Sequence, residues 1–430
     1  MPDLKLLPLL EATQPDRLRE PLGSLFGPAA EPPRVESTRL QAPICYWVVY
    51  RNGGRRVTLK SFFSGDDYVE YVAELRAVYP ERLGHPEHPN GGVLLLPEIN
   101  GILWAFPFDP AMPELHRCFD GAWIAGVLRR RSREAVQPEI VSYRPEIGAV
   151  FAYRGPQGRR VVAYGKCSPE ESCGRQYVIM NRLWRSPARE SGQLRLARPL
   201  AFRPEAGLLL QAPVAGTPIS GERNRSAFLQ LVTAAGTALA AIHGCDAPFG
   251  HERQLADLVR RLADELPDLA LVSPALHRAL GQLIAQIESR SERGSTAARV
   301  ASHGDFKWDQ FLEYRGRFAL IDFELFCQAE PSYDLGYFCA YLPPSSPRDW
   351  RDSAAAEMLR GVFLHTYAET SGTPLDLSRV ALFESGMLAL RALSHVWRQH
   401  GDWQLRASQL LDLAFERLVN PEPDSSGHPR

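Results

Sequence analysis

The sequence predicts an α+β fold in which a β-rich first half precedes a helical second half. In the first half, short apolar runs separated by glycine turns recur, as at 44–63 and 149–164, and are typical of β-hairpins. From Phe228 the apolar residues recur at helical spacing instead, through Leu239 and Ile242. The length of 430 residues, with 45% hydrophobic residues, supplies more than one domain core.

The first domain is predicted at residues 1–140. Its strongest signal is the Asn52-Gly53-Gly54 turn, which joins two apolar strands as a hairpin. Residues 1–38 are rich in proline and are predicted to be irregular. The elements predicted after them are strands at 46–50 and 57–63, a helix at 67–78, and strands at 93–96 and 102–106.

A second β-rich unit is predicted at residues 141–214. Its hairpin ends at Lys166, and a helix at 174–184 and a strand at 208–211 follow. An Arg-Arg-Val run precedes Lys60 in the first domain as it precedes Lys166 here. This likeness indicates either a weak internal repeat of one small unit or a coincidence in an arginine-rich chain.

The remaining chain, residues 215–430, is predicted to be mainly helical. It begins with a linker at 215–218 that contains glycine and proline. One β-hairpin, at 311–320, interrupts the helical patterns. Those patterns are found at 228–242, 255–287 and 354–418.

Two short segments of this helical part carry chemistry. The segment HGDFKWDQ places Asp305 in a tight turn, with Lys307 and the side-chain amide of Gln310 close behind it. The segment IDFE places Asp322 at the tip of the second strand of the hairpin. Their order and spacing are those that phosphoryl transfer requires, with a base for the incoming hydroxyl and an anchor for Mg²⁺.

The role expected of each residue follows from its side chain. Asp305 is the candidate catalytic base, since its carboxylate can accept the proton of an attacking hydroxyl. Asp322 is the candidate ligand of Mg²⁺, which prefers hard anionic oxygen, and Gln310 adds a neutral carbonyl oxygen. Lys307 is a second candidate catalytic residue, because its charge can offset that of the transferring phosphoryl group. The alternative interpretation is that these acids only cap turns and helices.

These segments resemble the aminoglycoside phosphotransferase and choline kinase superfamily, whose members are relatives of the protein kinases. The family's His-Gly-Asp lies at His303, Gly304 and Asp305. Its metal aspartate falls on Asp322, and its later Asp-Leu-Gly begins at Asp334, which is expected to brace the catalytic loop by hydrogen bonding.

The family's asparagine position holds Gln310, as in the branch that includes the bacterial maltokinases. That branch carries an N-terminal cap ahead of its two kinase lobes. The resemblance therefore implies a protein-kinase-like two-lobed fold with a small β-rich lobe at 141–214 and a large helical lobe at 215–430. An α+β cap at 1–140 precedes them. The resemblance covers 143–418 for the lobes and rests on arrangement alone for the cap.

The resemblance also implies a nucleotide site in the small lobe. Lys166 falls where the family's lysine reaches the α- and β-phosphates of ATP, and Gly148 lies in the first turn, where a full glycine-rich loop is lacking. The backbone from Gln211 to Val214 is the expected hinge that hydrogen-bonds adenine. Gln176 stands where a glutamate partner of the lysine is expected.

Composition argues against several classes of function. A net charge of −1 removes the electrostatic argument for nucleic acid as a partner. No apolar run approaches the roughly 20 residues that cross a bilayer, which argues against a membrane partner. Seven cysteines, an odd number, favour a reduced cytoplasmic setting over a disulfide framework. A monomer or a small homo-oligomer is expected.

The sequence therefore predicts an ATP- and Mg²⁺-dependent kinase that phosphorylates a hydroxyl of a small molecule. The cap and Gln310 favour a sugar or amino sugar, as in maltokinases. Trp397, His400 and Trp403 could stack on a pyranose ring or only pack helices together. Two alternatives stay open, an amino-alcohol or aminoglycoside acceptor and a catalytically weak or inactive nucleotide-binding scaffold of the same fold.

Overall fold

The computed structural model divides the chain into two compact units. The first extends to Cys173 and includes Leu200–Leu210, and the second comprises Gly174–Pro199 and the chain from Gln211 onward. The predicted α+β class is confirmed, since β-sheets dominate the first unit and helices the second. The predicted boundaries at 140 and 214 stay a prediction. The structure describes residues 14–27, 32–41, 44–85, 91–129, 135–155, 157–169, 172–219, 225–246, 251–291, 297–342, 353–398 and 401–421.

A five-stranded antiparallel sheet opens the first unit, with the strand order β1-β2-β3-β5-β4. The predicted hairpin turn is confirmed, because Asn52 pairs with Arg55 across the two intervening glycines. The elements are α1 (Arg19–Phe26), β1 (Arg34–Gln41), β2 (Cys45–Asn52), β3 (Arg55–Phe62), α2 (Gly65–Val78), β4 (Val93–Leu96) and β5 (Gly101–Ala105).

The prediction that residues 1–38 are irregular is wrong for part of that segment. Residues 19–26 form α1, which buries Leu22 and Phe26 on one face, and β1 begins at Arg34. β1 lies at the edge of the sheet and its first four residues are exposed. An edge strand of this kind needs no alternation of apolar residues, so the sequence pattern lacked the usual signal. Residues 1–13 and 28–31 lie outside the described residues.

A second five-stranded sheet follows in the same unit, with the order β6-β7-β8-β10-β9. This is the topology of the first sheet: a three-stranded meander, a helix, and two further strands that add in reverse order. The elements along this stretch of chain are α3 (Gly121–Val127), β6 (Gln137–Arg144), β7 (Gly148–Arg154), β8 (Val161–Cys167), α4 (Ser172–Trp184), α5 (Pro187–Glu190), β9 (Pro199–Arg203) and β10 (Leu208–Gln211). Of these, α5 and all of α4 from Gly174 onward belong to the second unit.

The two sheets also share their hydrogen-bond register. The amide two residues after Lys60 donates to Asn100 O at 3.0 Å, and the amide two residues after Lys166 donates to Gly207 O at 3.3 Å. Asn100 and Gly207 both have left-handed backbones and each follows a short 3₁₀ turn. Lys60 and Lys166 therefore occupy equivalent places in two copies of one structural unit, which supports the repeat over a coincidence.

The ammonium group of Lys60 is nevertheless paired with a carboxylate inside the protein. Its Nζ lies 3.0 Å from each carboxylate oxygen of Glu146, which belongs to the turn between β6 and β7. Glu146 also accepts from Trp47 Nε1 at 2.8 Å and from the Tyr71 hydroxyl. The side chains of Lys60 and Glu146 are 9% and 15% exposed. Part of the first sheet thus anchors the first turn of the second.

The buried carboxylate of Asp109 also bonds the turn at Glu146. Asp109 accepts from the Tyr143 hydroxyl at 2.8 Å and from Glu146 N at 2.9 Å, while Trp104 Nε1 donates to Tyr143. Burial raises the pKa of Asp109 to about 6, against the opposing effect of these hydrogen bonds. The turn at Glu146 is therefore held both through its side chain and through its backbone.

The second unit is mainly helical, and two small three-stranded sheets lie within it. A large apolar core in it joins α7, α9, α10, α12 and α13, defined below, through residues such as Leu262, Leu280 and Phe383. No helix in the described part of the chain is long and apolar enough to cross a membrane. The elements are β11 (Thr217–Pro218), α6 (Arg225–His243), β12 (Glu252–Arg253), α7 (Leu255–Asp264), α8 (Leu266–Val272), α9 (Pro274–Ser291), β13 (Val300–Ser302), β14 (Phe311–Tyr314), β15 (Arg317–Leu320), β16 (Cys327–Ala329), α10 (Ser332–Tyr341), α11 (Ser353–Ser371), α12 (Leu377–Arg398) and α13 (Trp403–Val419).

We expect Lys60→Met to lower the free energy of unfolding of the first unit by about 3–5 kcal/mol, because it leaves the Glu146 carboxylate buried without its cation. The matched control is Arg154→Met, which breaks an exposed pair with Glu139 and should cost at most about 1 kcal/mol. Denaturant unfolding followed by tryptophan fluorescence measures both. Equal effects of the two variants would contradict a structural role for the Lys60 pair.

Candidate active site

The predicted catalytic loop is held in place by Asp334, in the first turn of α10. The Asp334 carboxylate is fully buried and accepts from His303 N at 2.6 Å and from Gly304 N at 3.0 Å. Its Oδ2 also lies 3.5 Å from His243 Nε2, while His243 Nδ1 lies 2.8 Å from the Tyr367 hydroxyl. The predicted bracing role of Asp334 is confirmed.

The loop requires glycine at position 304. Gly304 has φ +84°, a left-handed conformation that side chains with a Cβ disfavour. A Cβ on Gly304 would lie 1.8 Å from the carbonyl oxygen of Leu325, so the backbone approaches that segment more closely than any side chain permits. Both constraints direct the chain so that Asp305 follows immediately after the anchored amides.

His303 joins this loop to the segment that carries the predicted metal ligand. Its Nε2 lies 3.1 Å from Ile321 O, and its Nδ1 faces Asp305 N at 3.4 Å. With Nδ1 accepting from that amide, Nε2 carries the proton and donates to the carbonyl. Ile321 N in turn donates to Gln310 O at 2.9 Å, so both ends of the loop are bonded to the residue before Asp322.

The Asp305 carboxylate is surrounded by donors. Its Oδ1 accepts from the Tyr337 hydroxyl, and its Oδ2 accepts from Gln310 Nε2 at 2.7 Å. Lys307 Nζ lies 3.2 Å from the same Oδ2. The side chains of Asp305 and Lys307 are 14% and 18% exposed, so this ion pair is only partly solvated.

Lys307 lies between two carboxylates. Its Nζ is 3.9 Å from Asp309 Oδ1 as well as close to Asp305, and it lies 5.2 Å from the centre of the Tyr341 ring. Burial favours the neutral amine, but the neighbouring carboxylates outweigh burial and raise the pKa of Lys307 above its ordinary value. Lys307 is therefore a permanent cation beside Asp305.

Gln310 and Asp322 offer the oxygen donors that suit Mg²⁺. The Gln310 amide uses its Nε2 on Asp305, which leaves its carbonyl oxygen as the ligating end. Asp322 lies two residues after the end of β15 and has φ +66°, a left-handed conformation that for a residue other than glycine is often found at functional sites. Among the residues with described side chains, no group of three or more His, Cys, Asp or Glu could hold a metal. One carboxylate and one amide oxygen suit the way Mg²⁺ is usually bound, by one or two carboxylates together with substrate phosphates.

The predicted nucleotide-binding residues lie in separate parts of the chain. Lys166 is half-buried in β8, where it pairs with Val150, and Gly148 is the first residue of β7, both in the first unit. Gln211 ends β10, and Val214 lines a cavity of about 820 Å³ within the second unit. The structure thus brings together Asp305, Lys307 and Gln310 and joins their loop to Asp322. Of the remaining four residues, Lys166, Gly148 and Gln211 lie on three different strands and Val214 lies between strands.

Two further residues of the site were missed by sequence reasoning, namely Tyr337, which contacts Asp305, and His243, which contacts Asp334. A signal for Tyr337 was present, since it lies three residues after Asp334 on the same helix and so shares its face. His243 ends α6, and no local pattern relates it to a residue 91 positions away.

The tryptophans proposed to stack on a sugar ring are engaged in packing. Trp397 and Trp403 are partly buried against the large apolar core of the second unit. Trp397 Nε1 also donates to Glu265 Oε2 at 2.8 Å. His400 lies outside the described residues. These contacts favour the helix-packing interpretation over a sugar platform.

The model of one protein family, described as "Phosphotransferase enzyme family", matches residues 149–371 of this chain. A solved structure from Ralstonia eutropha, assigned to the aminoglycoside phosphotransferases, is 15% identical with a TM-score of 0.52, covering 70% of this chain and 97% of its own. Choline kinase from Cryptosporidium parvum is 12% identical with a TM-score of 0.50, covering 70% and 92%. No curated protein matches the sequence. At these identities the two structures establish the fold alone.

We expect Gly304→Ala to destabilise the second unit more than Gly316→Ala. Both residues have left-handed backbones, so both variants incur about 1–2 kcal/mol of strain. At Gly316 no atom lies within 4 Å of the added Cβ, whereas at Gly304 the loop must move away from Leu325, at a further cost of about 1–3 kcal/mol. Denaturant unfolding followed by the helical circular dichroism signal compares the pair. Indistinguishable midpoints would show that the close approach is not maintained in solution.

Proposed function

The chain belongs to the phosphotransferase enzyme family, and on that premise we propose that it is an ATP- and Mg²⁺-dependent kinase acting on a hydroxyl of a small molecule. The observation that carries the proposal is the arrangement around Asp305. The Asp305 carboxylate lies on a loop that is held by a buried acid. A cation and an amide contact one of its oxygens, and a hydroxyl donates to the other. Such a group can accept the proton of an attacking hydroxyl in the transition state.

The neighbouring residues complete the proposed chemistry. Asp322 and Gln310 would hold Mg²⁺, which when bound neutralises charge on the donor phosphates. Lys307 remains protonated beside Asp305 and would offset the charge that develops on the transferring group. Asp305 would orient the acceptor hydroxyl and receive its proton at one of its carboxylate oxygens.

We propose the following contacts with the nucleotide. Lys166 would reach its α- and β-phosphates, with Gly148 after the adjoining turn, and the backbone from Gln211 to Val214 would bond adenine. The position of Lys166 supports its role, since this side chain is half-buried near the end of β8. The division into a cap at 1–140 and lobes at 141–214 and 215–430 belongs to the same proposal.

The acceptor is proposed to be a sugar or amino sugar, as in the maltokinase-like branch. The support for this choice is Gln310 in the family's asparagine position together with the extra N-terminal sheet ahead of the small lobe. An acceptor screen tests it: sugars, amino sugars and amino alcohols are each incubated with γ-labelled ATP and Mg²⁺, and labelled products are resolved by chromatography. Transfer only to amino alcohols would refute the sugar assignment, and nucleotide binding without any transfer would favour an inactive scaffold.

We expect Asp305→Asn to lower turnover with the identified acceptor by about 10²–10⁴-fold, because the amide cannot take the hydroxyl proton. Asp322→Ala should abolish Mg²⁺-dependent turnover while leaving the circular dichroism spectrum unchanged. The control is Asp309→Asn on the same loop, whose carboxyl lies farther from Lys307 and is half-exposed. Steady-state kinetics measure all three. A loss below about threefold for Asp305→Asn would mean that Asp305 only orients the acceptor.

A further inference from the structure

We propose that Tyr337 is a positioning residue that occupies the acceptor's place on Asp305 until the acceptor displaces it. The inference rests on the proposed function, since it assigns a resting state to the same base. Its basis is the contact between the Tyr337 hydroxyl and Asp305 Oδ1.

The two oxygens of Asp305 have different partners. Oδ2 is shared by Gln310 Nε2 at 2.7 Å and Lys307 Nζ at 3.2 Å, both from the same loop as the base. Oδ1 receives the phenol of Tyr337, which comes from α10. Gln310 and Lys307 thus fix the direction of the carboxylate, and Oδ1 is the oxygen turned toward a hydroxyl. A phenol is also the contact that most resembles an acceptor, because both offer an O–H group to the base.

The phenol is not a mobile surface group. Its ring stacks on Tyr341, one helical turn further along α10, with centroids 5.3 Å apart and planes 10° from parallel. Helix α10 also carries Asp334, which bonds the loop of Asp305 through His303 N and Gly304 N. The base and the phenol are therefore held on two segments that are fixed to each other. Burial raises the pKa of Tyr337 above its ordinary value, so the phenol keeps its proton and remains a donor.

This arrangement links turnover to the presence of the acceptor. A water molecule would have to compete with the phenol for Oδ1 and carries no larger structure whose binding could help to displace it. An acceptor bound through the rest of its structure can use that binding energy to move the phenol aside. Tyr337 would in this way suppress transfer of the phosphoryl group to water while leaving transfer to the acceptor possible.

The test is Tyr337→Phe, which keeps the ring and its stacking and removes only the hydroxyl. We expect ATP hydrolysis without acceptor, measured as phosphate release from MgATP, to rise by about 10-fold or more, the size expected for one hydrogen bond to a charged group. The KM for the acceptor should fall, because nothing has to be displaced. The matched control is Tyr341→Phe, which removes the hydroxyl from the stacking partner on the same face of the helix and should leave hydrolysis unchanged.

A rise in ATP hydrolysis that disappears when Asp305→Asn is added to Tyr337→Phe supports the proposal, since the gain then acts through the base. Unchanged or slower hydrolysis with a higher acceptor KM would overturn it and make the phenol part of the acceptor site. Phosphate found on Tyr337 by mass spectrometry would also overturn it, because the phenol would then be an acceptor itself. If wild type and Tyr337→Phe both fail to bind or turn over nucleotide, the proposed function and this inference both fail. If turnover depends on Asp305 but ignores Tyr337, only this inference fails.

Discussion

The two hydrogen bonds that Asp334 accepts from the amides of His303 and Gly304 are the constraint on which the rest of the candidate site depends. A carboxylate with no exposed surface is tolerated only when its oxygens are well bonded, so these amides and Asp334 stabilise one another. The amides can reach it only if Gly304 adopts a left-handed backbone. That turn aims Asp305, and the ring of His303 then bonds the carbonyl that precedes Asp322. One buried acid therefore positions both the candidate base and the candidate metal ligand.

The negative charge of Asp305 is balanced by a cation only a few ångströms away. Lys307 lies 3.2 Å away and is kept protonated by two carboxylates, so the base is paired before any substrate arrives. Such a pair occupies an oxygen of the candidate base and so competes with its proposed task. The geometry resolves this conflict by placing Lys307 and Gln310 on Oδ2 and a neutral phenol on Oδ1. The cation and the amide hold Oδ2, and the donor that must yield to an acceptor is a lone uncharged phenol, from which Oδ1 is more easily released than Oδ2 is from a charged donor.

The two sheets hold a lysine at equivalent positions. Lys60 and Lys166 share topology and register, and Lys60 is buried beside the Glu146 carboxylate, which accepts from three donors. A buried ion pair offsets its desolvation only when its remaining hydrogen bonds are made, and Glu146 meets that condition. Glu146 is the middle residue of the turn that leads into Gly148. The N-terminal sheet therefore fixes a turn of the neighbouring sheet in the same unit.

Local features were readable from the sequence, and long-range ones were not. The candidate catalytic loop and the hairpin that turns at Arg315 are each marked in the sequence by a glycine and by residues within a few positions of it, although the loop is held by the distant Asp334. The contact between Tyr337 and Asp305 depends instead on where α10 lies, and the pair between Lys60 and Glu146 joins residues 86 positions apart. In both cases the sequence contained the right residue types without a pattern that links them. Buried polar contacts of this kind are decided by how whole elements pack, because a donor and an acceptor taken out of water must find each other wherever the fold brings them. The residues that control the base are for this reason harder to predict than the base itself.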